Sequence, residues 1–363
     1  MFEDIASAIA QQDYATANQL INTLQPNYPN HPWLQFYSAQ VEVARGNLET
    51  AQTLYQALLR DCTNRKLLSQ AREGLRRLEA RQSAEVQEAI QEAIAQPGGK
   101  DTAVFILSAI SAEKKKQAAQ LLAKTFQLDP YTARLQIPSR GWRLFRVGLM
   151  GELLYHSQVL QQAEIPNFCT PLNRLDRLNV FQVQYFQSEG DRVTTRCATS
   201  SGQEGSLTFH WSEVKQRVQG RVPIFEQISF KDARGKKRWK TEVLDYVQFC
   251  DLHLPKRQTI LRLCDQQYCF QQSSHLTAKI QKGETLRRNW GELLNYLDCQ
   301  LPNLPCWNDF TPFGEGAIAF PQMLKRISPH IHLKRRYESS WDGAFQLYSA
   351  LVFFKGESGL KQP

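Results

Sequence analysis

A sequence pattern near the N-terminus repeats after 34 residues, and it constrains the fold of this chain more than any other feature. We call this repeated pattern the echo. Five residues recur at this spacing: Gln12, Asp13, Tyr14, Ala17 and Leu24 return as Gly46, Asn47, Leu48, Ala51 and Leu58. Self-similarity at such a period is typical of helical hairpins that stack side by side. Turn-forming residues precede the second helix of each hairpin, and small alanines stand where two helices cross. The echo therefore predicts about two helical hairpins.

The sequence around the echo predicts a helical module over residues 1–95. Asp13 and Asn47 can each cap the helix that follows, and the apolar residues behind them fall on one helical face. Residues 66–95 are more polar and rich in Arg, Glu and Gln, as expected of a helix that caps a short array. Pro-Gly-Gly at residues 97–99 then interrupts the helical pattern and marks a predicted domain boundary.

The hairpin pattern resembles the tetratricopeptide repeat, a pair of antiparallel helices that binds other proteins. The resemblance covers about residues 4–80 and departs from the usual repeat, because Gln35 stands in place of its Trp and Thr63 in place of its Pro. It implies that the helical module binds a protein partner. The predicted contacts lie on the first helix of the second hairpin: Phe36, Tyr37 and Gln40.

Residues 100–190 predict a ferredoxin-like domain. Apolar runs and helical stripes follow one another as strand, helix, strand, strand, helix and strand, which is the split βαβ arrangement, βαββαβ. The predicted strands are residues 104–110, 134–137, 142–147 and 180–186, and the predicted helices are residues 114–127 and 150–163.

Residues 191–363 predict a small antiparallel β domain with helical closure. Short alternating runs between residues 192 and 272 are separated by turn residues, as expected of an antiparallel sheet or barrel. A helical pattern returns at residues 289–297 and again toward the C-terminus. Together with the helical module, the sequence predicts an α+β multidomain protein.

A second resemblance covers about residues 100–310 and is to uncharacterised cyanobacterial proteins with N-terminal tetratricopeptide-like helices. The segments that carry it are LDPYTARL at residues 128–135, GWR at 141–143, QAEIP at 162–166, VQFCDLHL at 247–254 and NW at 289–290 with Leu293 and Leu294. This resemblance implies a similar domain layout and a cyanobacterial cytoplasmic setting. It carries over no activity and no functional residue.

Composition places the chain among globular proteins of moderate positive charge. Its 363 residues are 42% hydrophobic and 22% charged, and 44 Lys and Arg exceed 35 Asp and Glu to give a net charge of +9. That excess favours acidic partners such as nucleic acid, anionic lipid or an acidic protein surface. The eight cysteines form no Cys-x-x-Cys pair, which favours reduced thiols. The N-terminus lacks a signal-peptide pattern, and the longest apolar run, residues 344–354, is too short to span a membrane. We expect a cytoplasmic protein.

No motif of a known catalytic class is present in the sequence. The Gly-x-Ser-x-Gly elbow, the Gly-x-Gly-x-x-Gly fingerprint and the phosphate-binding Gly-Lys-Ser/Thr loop are all absent. His330 and His332 have a spacing compatible with a metal, but no third ligand is near and basic residues flank them. We therefore expect no enzyme activity, no cofactor and no metal.

The most basic segment of the chain is a predicted hairpin tip next to Trp239. Three interpretations stay open: a solvated tip whose charge discourages edge aggregation, a contact for an acidic protein or lipid surface, and a nucleic-acid contact in which the indole stacks on a base. The basic residues of the tip are Lys231, Arg234, Lys236, Lys237, Arg238 and Lys240.

A second basic cluster accompanies the predicted strands of residues 134–147. It comprises Arg134, Arg140, Arg143 and Arg146. An exposed sheet face of this kind binds RNA in some domains, but the Gly/aromatic motif that those domains need is absent. Pairing of these arginines with acidic groups of neighbouring domains is therefore the favoured expectation.

The predicted function is that of a non-catalytic adaptor or assembly factor, which holds a protein partner with its helical arm. The alternative is a basic RNA-binding or membrane-surface-associated regulator, in which case the protein is peripheral to a membrane or bound to RNA. An enzyme of unrecognised type ranks third.

Overall fold

The protein is described by a computed structural model that covers residues 2–189, 191–231, 233–273, 285–336 and 338–357. It combines α-helices with two β-sheets. The chain divides into two compact units, Met1–Glu92 and Ala93–Pro363. All eight cysteines are free thiols.

The first unit consists of helices that follow one another in antiparallel pairs. They are α1 (Phe2–Ala10), α2 (Tyr14–Leu24), α3 (Pro32–Ala44), α4 (Leu48–Asp61) and α5 (Arg65–Ala95), the last of which extends past the end of the unit. Contacts join α1 to α2 and α3 to α4, and both α1 and α2 also touch α3. Two hairpins therefore pack side by side.

Residues that the echo aligns occupy equivalent places in the two hairpins. Gln12 and Gly46 both adopt the left-handed backbone conformation in the turn, with φ of 61° and 83°. Ala17 and Ala51 are both fully buried. Asp13 caps α2 by accepting a hydrogen bond from the Thr16 amide at 3.0 Å. The cap predicted at Asn47 is wrong, because its side-chain amide donates to Glu42 at 2.6 Å and makes no bond to α4. The 34-residue period is thus a period of the structure as well as of the sequence.

The second unit begins with a three-stranded antiparallel sheet. Its strands are β1 (Thr102–Ser108), β2 (Trp142–Leu149) and β3 (Asn167–Pro171), in the order β2-β1-β3. Alternate residues of β1 enter two different cores, so that Phe105 packs with the helices on one face and Ile106 with the large core on the other. The helices of this region are α6 (Lys115–Phe126), α7 (Pro130–Gln136) and α8 (Met150–Gln162).

The expected ferredoxin-like order is wrong in two places. Residues 134–137 were predicted to be a strand, but Arg134 lies inside α7, which Asp129 caps at 3.0 and 3.1 Å from the Tyr131 and Thr132 amides. Pro130 at the first position of α7 adds a second helix-start signal, which outweighs the short alternating pattern. The last predicted strand, β4 (Asn179–Glu189), joins the other sheet. The described strands therefore do not form the predicted four-stranded βαββαβ unit over residues 100–190.

The larger sheet has seven strands in the described part of the chain, in the order β10-β7-β8-β9-β4-β5-β6. Besides β4, they are β5 (Arg192–Ala198), β6 (Glu204–His210), β7 (Gln216–Lys231), β8 (Lys237–Leu254), β9 (Thr259–Cys264) and β10 (Cys306–Trp307). The β4–β9 and β10–β7 pairs are parallel and the others antiparallel. The sheet is thus mixed rather than purely antiparallel. The strand predicted over residues 268–271 is also wrong, because Phe270–Gln272 forms a 3-10 turn.

The remaining helices cover both faces of the larger sheet. They are α9 (Leu286–Gln300), α10 (Phe310–Ala317), α11 (Pro321–Leu324) and α12 (Ser340–Glu357). Helices α10–α12 share a core with one face of this sheet and with the small sheet, whereas α9 packs on the opposite face. Residues 344–354 of α12 are buried on every side, as expected of a helix that is apolar all round. In the described part of the chain, no helix has the length and apolar content to cross a membrane.

Candidate functional site

The long hairpin of β7 and β8 extends beyond the sheet to which it belongs. Its ladder runs from Gln216 opposite His253 to Lys231 opposite Lys237. The neighbouring strands pair only near its base, since β9 reaches β8 at Phe249 and beyond, and β10 touches β7 at residues 217–218. We call the two-stranded part formed by residues 225–231 and 237–243 the outer ribbon.

A change of register between Ile224 and Phe225 marks the base of the outer ribbon. Such an irregularity bends a hairpin and increases its twist, which turns the outer ribbon away from the plane of the sheet. All described residues from 237 to 246 are exposed, so neither face of the outer ribbon rests on a core. Its stability comes from the β ladder and from contacts between its own side chains.

Apolar side chains are exposed on and beside the outer ribbon. Trp239 is 60% exposed, and Leu244, just beyond the ribbon, is 63% exposed. Full burial of a large apolar side chain releases about 1.5–3 kcal/mol, and the exposed parts of Trp239 and Leu244 forgo a share of that free energy. Clustered exposure of this kind marks surfaces that bind something.

Cations and aromatic rings lie side by side on both faces of the outer ribbon. On one face Lys231 is opposite Lys237, whose Nζ lies 4.9 Å from the centroid of the Trp239 ring. On the other face Lys240 Nζ lies 5.6 Å from the Phe230 ring and forms an ion pair with Glu242. Each face therefore offers positive charge next to an exposed aromatic ring.

The structure places all six basic residues of the predicted patch at this tip, and all six are exposed. Gly235 has φ of 73°, as expected of the glycine that closes the turn. Lys231, Arg234, Lys236, Lys237, Arg238 and Lys240 thus stand where the sequence predicted them. What they bind stays a prediction.

The predicted partner contacts on α3 divide into one core residue and two surface residues. Phe36 is only 5% exposed and packs in the core against the Tyr55 ring at 6.1 Å, so it is not available to a partner. This part of the expectation is wrong, because the helical spacing that exposes Tyr37 and Gln40 turns Phe36 inward. Tyr37 is half-buried between the two hairpin cores, and burial, with a smaller effect of Glu3, raises its pKa. Gln40 is also half-buried.

Three of the four clustered arginines surround one open cavity of about 500 Å³. Arg134, Arg140 and Arg143 line it together with Lys115. Arg146 stands apart, with its guanidinium 5.2 Å from the Phe126 ring. No local pattern indicates Lys115, because the cavity exists only once residues 130–136 fold as a helix beside the start of α6.

A buried polar network lies where β8, β9 and α12 meet. Arg262 donates from Nε and Nη2 to the two oxygens of Asp251 at 2.9 and 2.7 Å, and both side chains are 0% exposed. Arg262 also donates to Gln346 Oε1 at 2.9 Å and to the Pro329 carbonyl at 2.7 Å. The buried guanidinium of Arg262 therefore donates four hydrogen bonds to acceptors inside the core.

Ser349 and His253 extend this network with the residue types of a hydrolase triad. Ser349 Oγ donates to Asp251 at 2.6 Å, so it accepts from His253 Nε2 at 3.0 Å. The serine therefore lies between carboxylate and imidazole, whereas a nucleophilic triad needs the imidazole in the middle. All three side chains are buried, and burial lowers the pKa of His253 to about 4. This arrangement holds α12 onto the sheet and offers no nucleophile to a substrate.

In the described residues, no group of three His, Cys, Asp or Glu side chains converges on a common point. His330 is near Arg262 and His332, and burial, with the charge of Arg262, lowers its pKa to about 4. A neighbouring guanidinium repels a metal cation as it repels a proton, so His330 and His332 are poorly placed as ligands.

Comparison of the chain with protein-family models, with curated proteins and with solved structures found no match in any of the three. The function is therefore inferred from the geometry of this chain.

Proposed function

We propose that the protein is a non-catalytic adaptor or assembly factor that holds a protein partner with its first, tetratricopeptide-like helical unit. The observation that carries this proposal is the structural equivalence of its two hairpins, in which the turns at Gln12 and Gly46 and the buried alanines at positions 17 and 51 repeat after 34 residues. Stacked hairpins of this kind are used by proteins to present a continuous surface to a partner.

The proposed contact surface lies on α3, the first helix of the second hairpin. Helix α3 touches α1, the first helix of the preceding hairpin, so the two first helices lie on the same side of the stack. Tyr37 packs against the cores of both hairpins and keeps part of its ring exposed, and Gln40 follows it one turn later. An amphipathic tyrosine beside a polar amide is a typical pair for protein recognition.

The buried Asp251, Ser349 and His253 support a non-catalytic role. They are the side chains that most resemble a catalytic set in the described residues, yet all three are buried and hydrogen-bonded to one another in the core. The proposed role of the protein is therefore to bind a partner rather than to catalyse a reaction.

The test is capture of the partner from the native host by the tagged full-length protein at low salt, with and without nuclease. Gln40→Arg on α3 is compared with Gln52→Arg, a matched change at a half-buried position of α4. We expect a partner that withstands nuclease, is lost with Gln40→Arg and is retained with Gln52→Arg. Equal recovery by the two variants, each checked for unchanged thermal unfolding, contradicts a contact surface on α3.

A second candidate function rests on the outer ribbon, which supports a role as an RNA-binding or membrane-surface-associated regulator. Trp239 is exposed beside Lys237, and single-stranded nucleic acids are bound by this combination of a stacking ring and a cation. Anionic lipid would use the same charge but would bury the indole at the headgroup level. The two ligands are distinguished by the salt dependence of binding of ribbon variants to RNA and to anionic vesicles.

A further inference from the structure

We propose that the cavity between α6, α7 and the start of β2 binds a phosphate-bearing small molecule. Its volume of about 500 Å³ is ample for a phosphorylated metabolite of mononucleotide size. This site is independent of the partner surface on α3 and of the outer ribbon.

The cavity is assembled from four separate parts of the second unit. Lys115 is the first residue of α6, and its Nζ donates to Ser139 Oγ at 2.8 Å across the opening. Arg134 comes from α7, Arg140 from the connection that follows, and Arg143 from β2. Gly141 makes the turn between the last two with φ of 62°. Residues distant in sequence therefore present their charges to one volume.

The lining carries four cationic side chains and no carboxylate among the described residues. Arg134, Arg140 and Arg143 form no ion pair with any described residue, whereas exposed arginines elsewhere, such as Arg60 and Arg81, pair with neighbouring carboxylates. Grouped guanidinium ions repel one another, so an anion bound among them is favoured by Coulomb attraction to each of them.

One donor in this site is buried without a partner. Arg143 Nε has no hydrogen-bond acceptor in the described structure. A buried donor without an acceptor is costly. Because Nε is closed to solvent, a ligand in the cavity would contact Arg143 through the outer nitrogens of its guanidinium. The planar fork of arginine fits phosphate oxygens in a bidentate manner, which favours phosphate over a simple halide ion.

Apolar groups beside the cations indicate that the ligand carries more than a phosphate. Tyr131 is 71% exposed and Leu135 is 58% exposed at the rim, and Pro312 of α10 closes one wall. Exposed aromatic and aliphatic side chains next to an anion site provide a surface for the planar or apolar body of a phosphate ester. The ester rather than free phosphate is therefore the expected natural ligand.

Calorimetric titration of the full-length protein tests the proposal, with pyrophosphate and AMP as the phosphate probes and adenosine as the uncharged one. We expect saturable binding of pyrophosphate and AMP, no binding of adenosine, and about tenfold or greater weakening by Arg134→Gln combined with Arg140→Gln. Both arginines are exposed, so folding should be unchanged.

Two control variants separate this site from general positive charge. Lys116→Gln lies next to Lys115 on α6 but outside the cavity lining, and Lys215→Gln combined with Lys256→Gln lies outside both the cavity and the outer ribbon. Both should bind the phosphate probes as the wild type does. Absence of saturable binding by the wild type, or equal weakening by either control, overturns the proposal.

Discussion

Removing two cations from one face of the outer ribbon tests whether that face binds a nucleic acid. Lys231 and Lys237 are opposite each other in the ladder, and Lys237 lies against Trp239. Changing both lysines to Gln keeps the β ladder, since each side chain is exposed and points into solvent. We expect the free energy of unfolding to change by no more than about 0.5 kcal/mol per substitution.

The size of the expected effect follows from the number of phosphates that the tip can neutralise. The logarithm of affinity for a single strand falls with the logarithm of salt concentration with a slope of about −0.7 per phosphate contact. If all six tip cations make such contacts, raising salt from about 50 to 200 mM weakens binding by about 300-fold. With two contacts removed, the same change in salt weakens binding by only about 50-fold.

The assay is fluorescence anisotropy of a labelled, unstructured RNA oligonucleotide over a salt series, with cosedimentation of phosphatidylserine vesicles in parallel. Trp239→Ala adds a second readout, because loss of base stacking should cost about 1–3 kcal/mol of binding free energy while leaving the salt slope unchanged. A shallower slope on RNA alone supports the RNA-binding function, and a shallower slope on vesicles alone supports the membrane-surface function.

A matched control lies at the opposite end of the same two strands. Lys215 precedes β7, Lys256 follows β8, and both are exposed, so their double change to Gln removes the same charge from the same sheet. That control should leave the salt slope of both ligands unaltered. If the ribbon variant and this control lower the slope equally, or if neither changes it, the reasoning from the ribbon geometry is refuted.

Two further predictions concern the buried network. Asp251→Asn should lower the free energy of unfolding by about 3–5 kcal/mol in a denaturant titration, because it leaves the Arg262 guanidinium fully buried without its counter-charge. Replacing Asp251 by Leu and Arg262 by Met together should recover most of that loss. A cost below about 1 kcal/mol for Asp251→Asn contradicts this prediction. His253 should make the fold less stable as pH falls from about 6.5 to about 4, because the unfolded imidazole takes up a proton near its ordinary pKa whereas burial holds the folded pKa at about 4. His253→Gln should therefore flatten the pH dependence of the free energy of unfolding by up to about 1.4 kcal/mol per pH unit in that window, and an unchanged slope contradicts a buried neutral imidazole.

Local sequence signals were sufficient for the helical hairpins and for the basic tip. Gly46 supplies the left-handed turn of the second hairpin, and Ala17 and Ala51 are small residues at equivalent buried positions, so these features are visible in the residues themselves, whereas Gln12 does not indicate its positive φ. The tip likewise follows from a run of basic residues that ends two strand-like segments, with Gly235 to supply the positive φ of the turn. These features depend on contacts between residues close in sequence.

Only the tertiary structure decided which side chains are buried and which charged residues lie close together. Phe36 and Tyr37 are adjacent in sequence, but packing against Tyr55 buries the first and leaves the second half-exposed. Asp129 and Pro130 are local signals for the start of α7, but only the packing of α7 against α6 brings Arg134 to the cavity that Lys115 also lines. Periodicity identifies an apolar face, whereas the element that covers it is selected by long-range packing that a single sequence does not display.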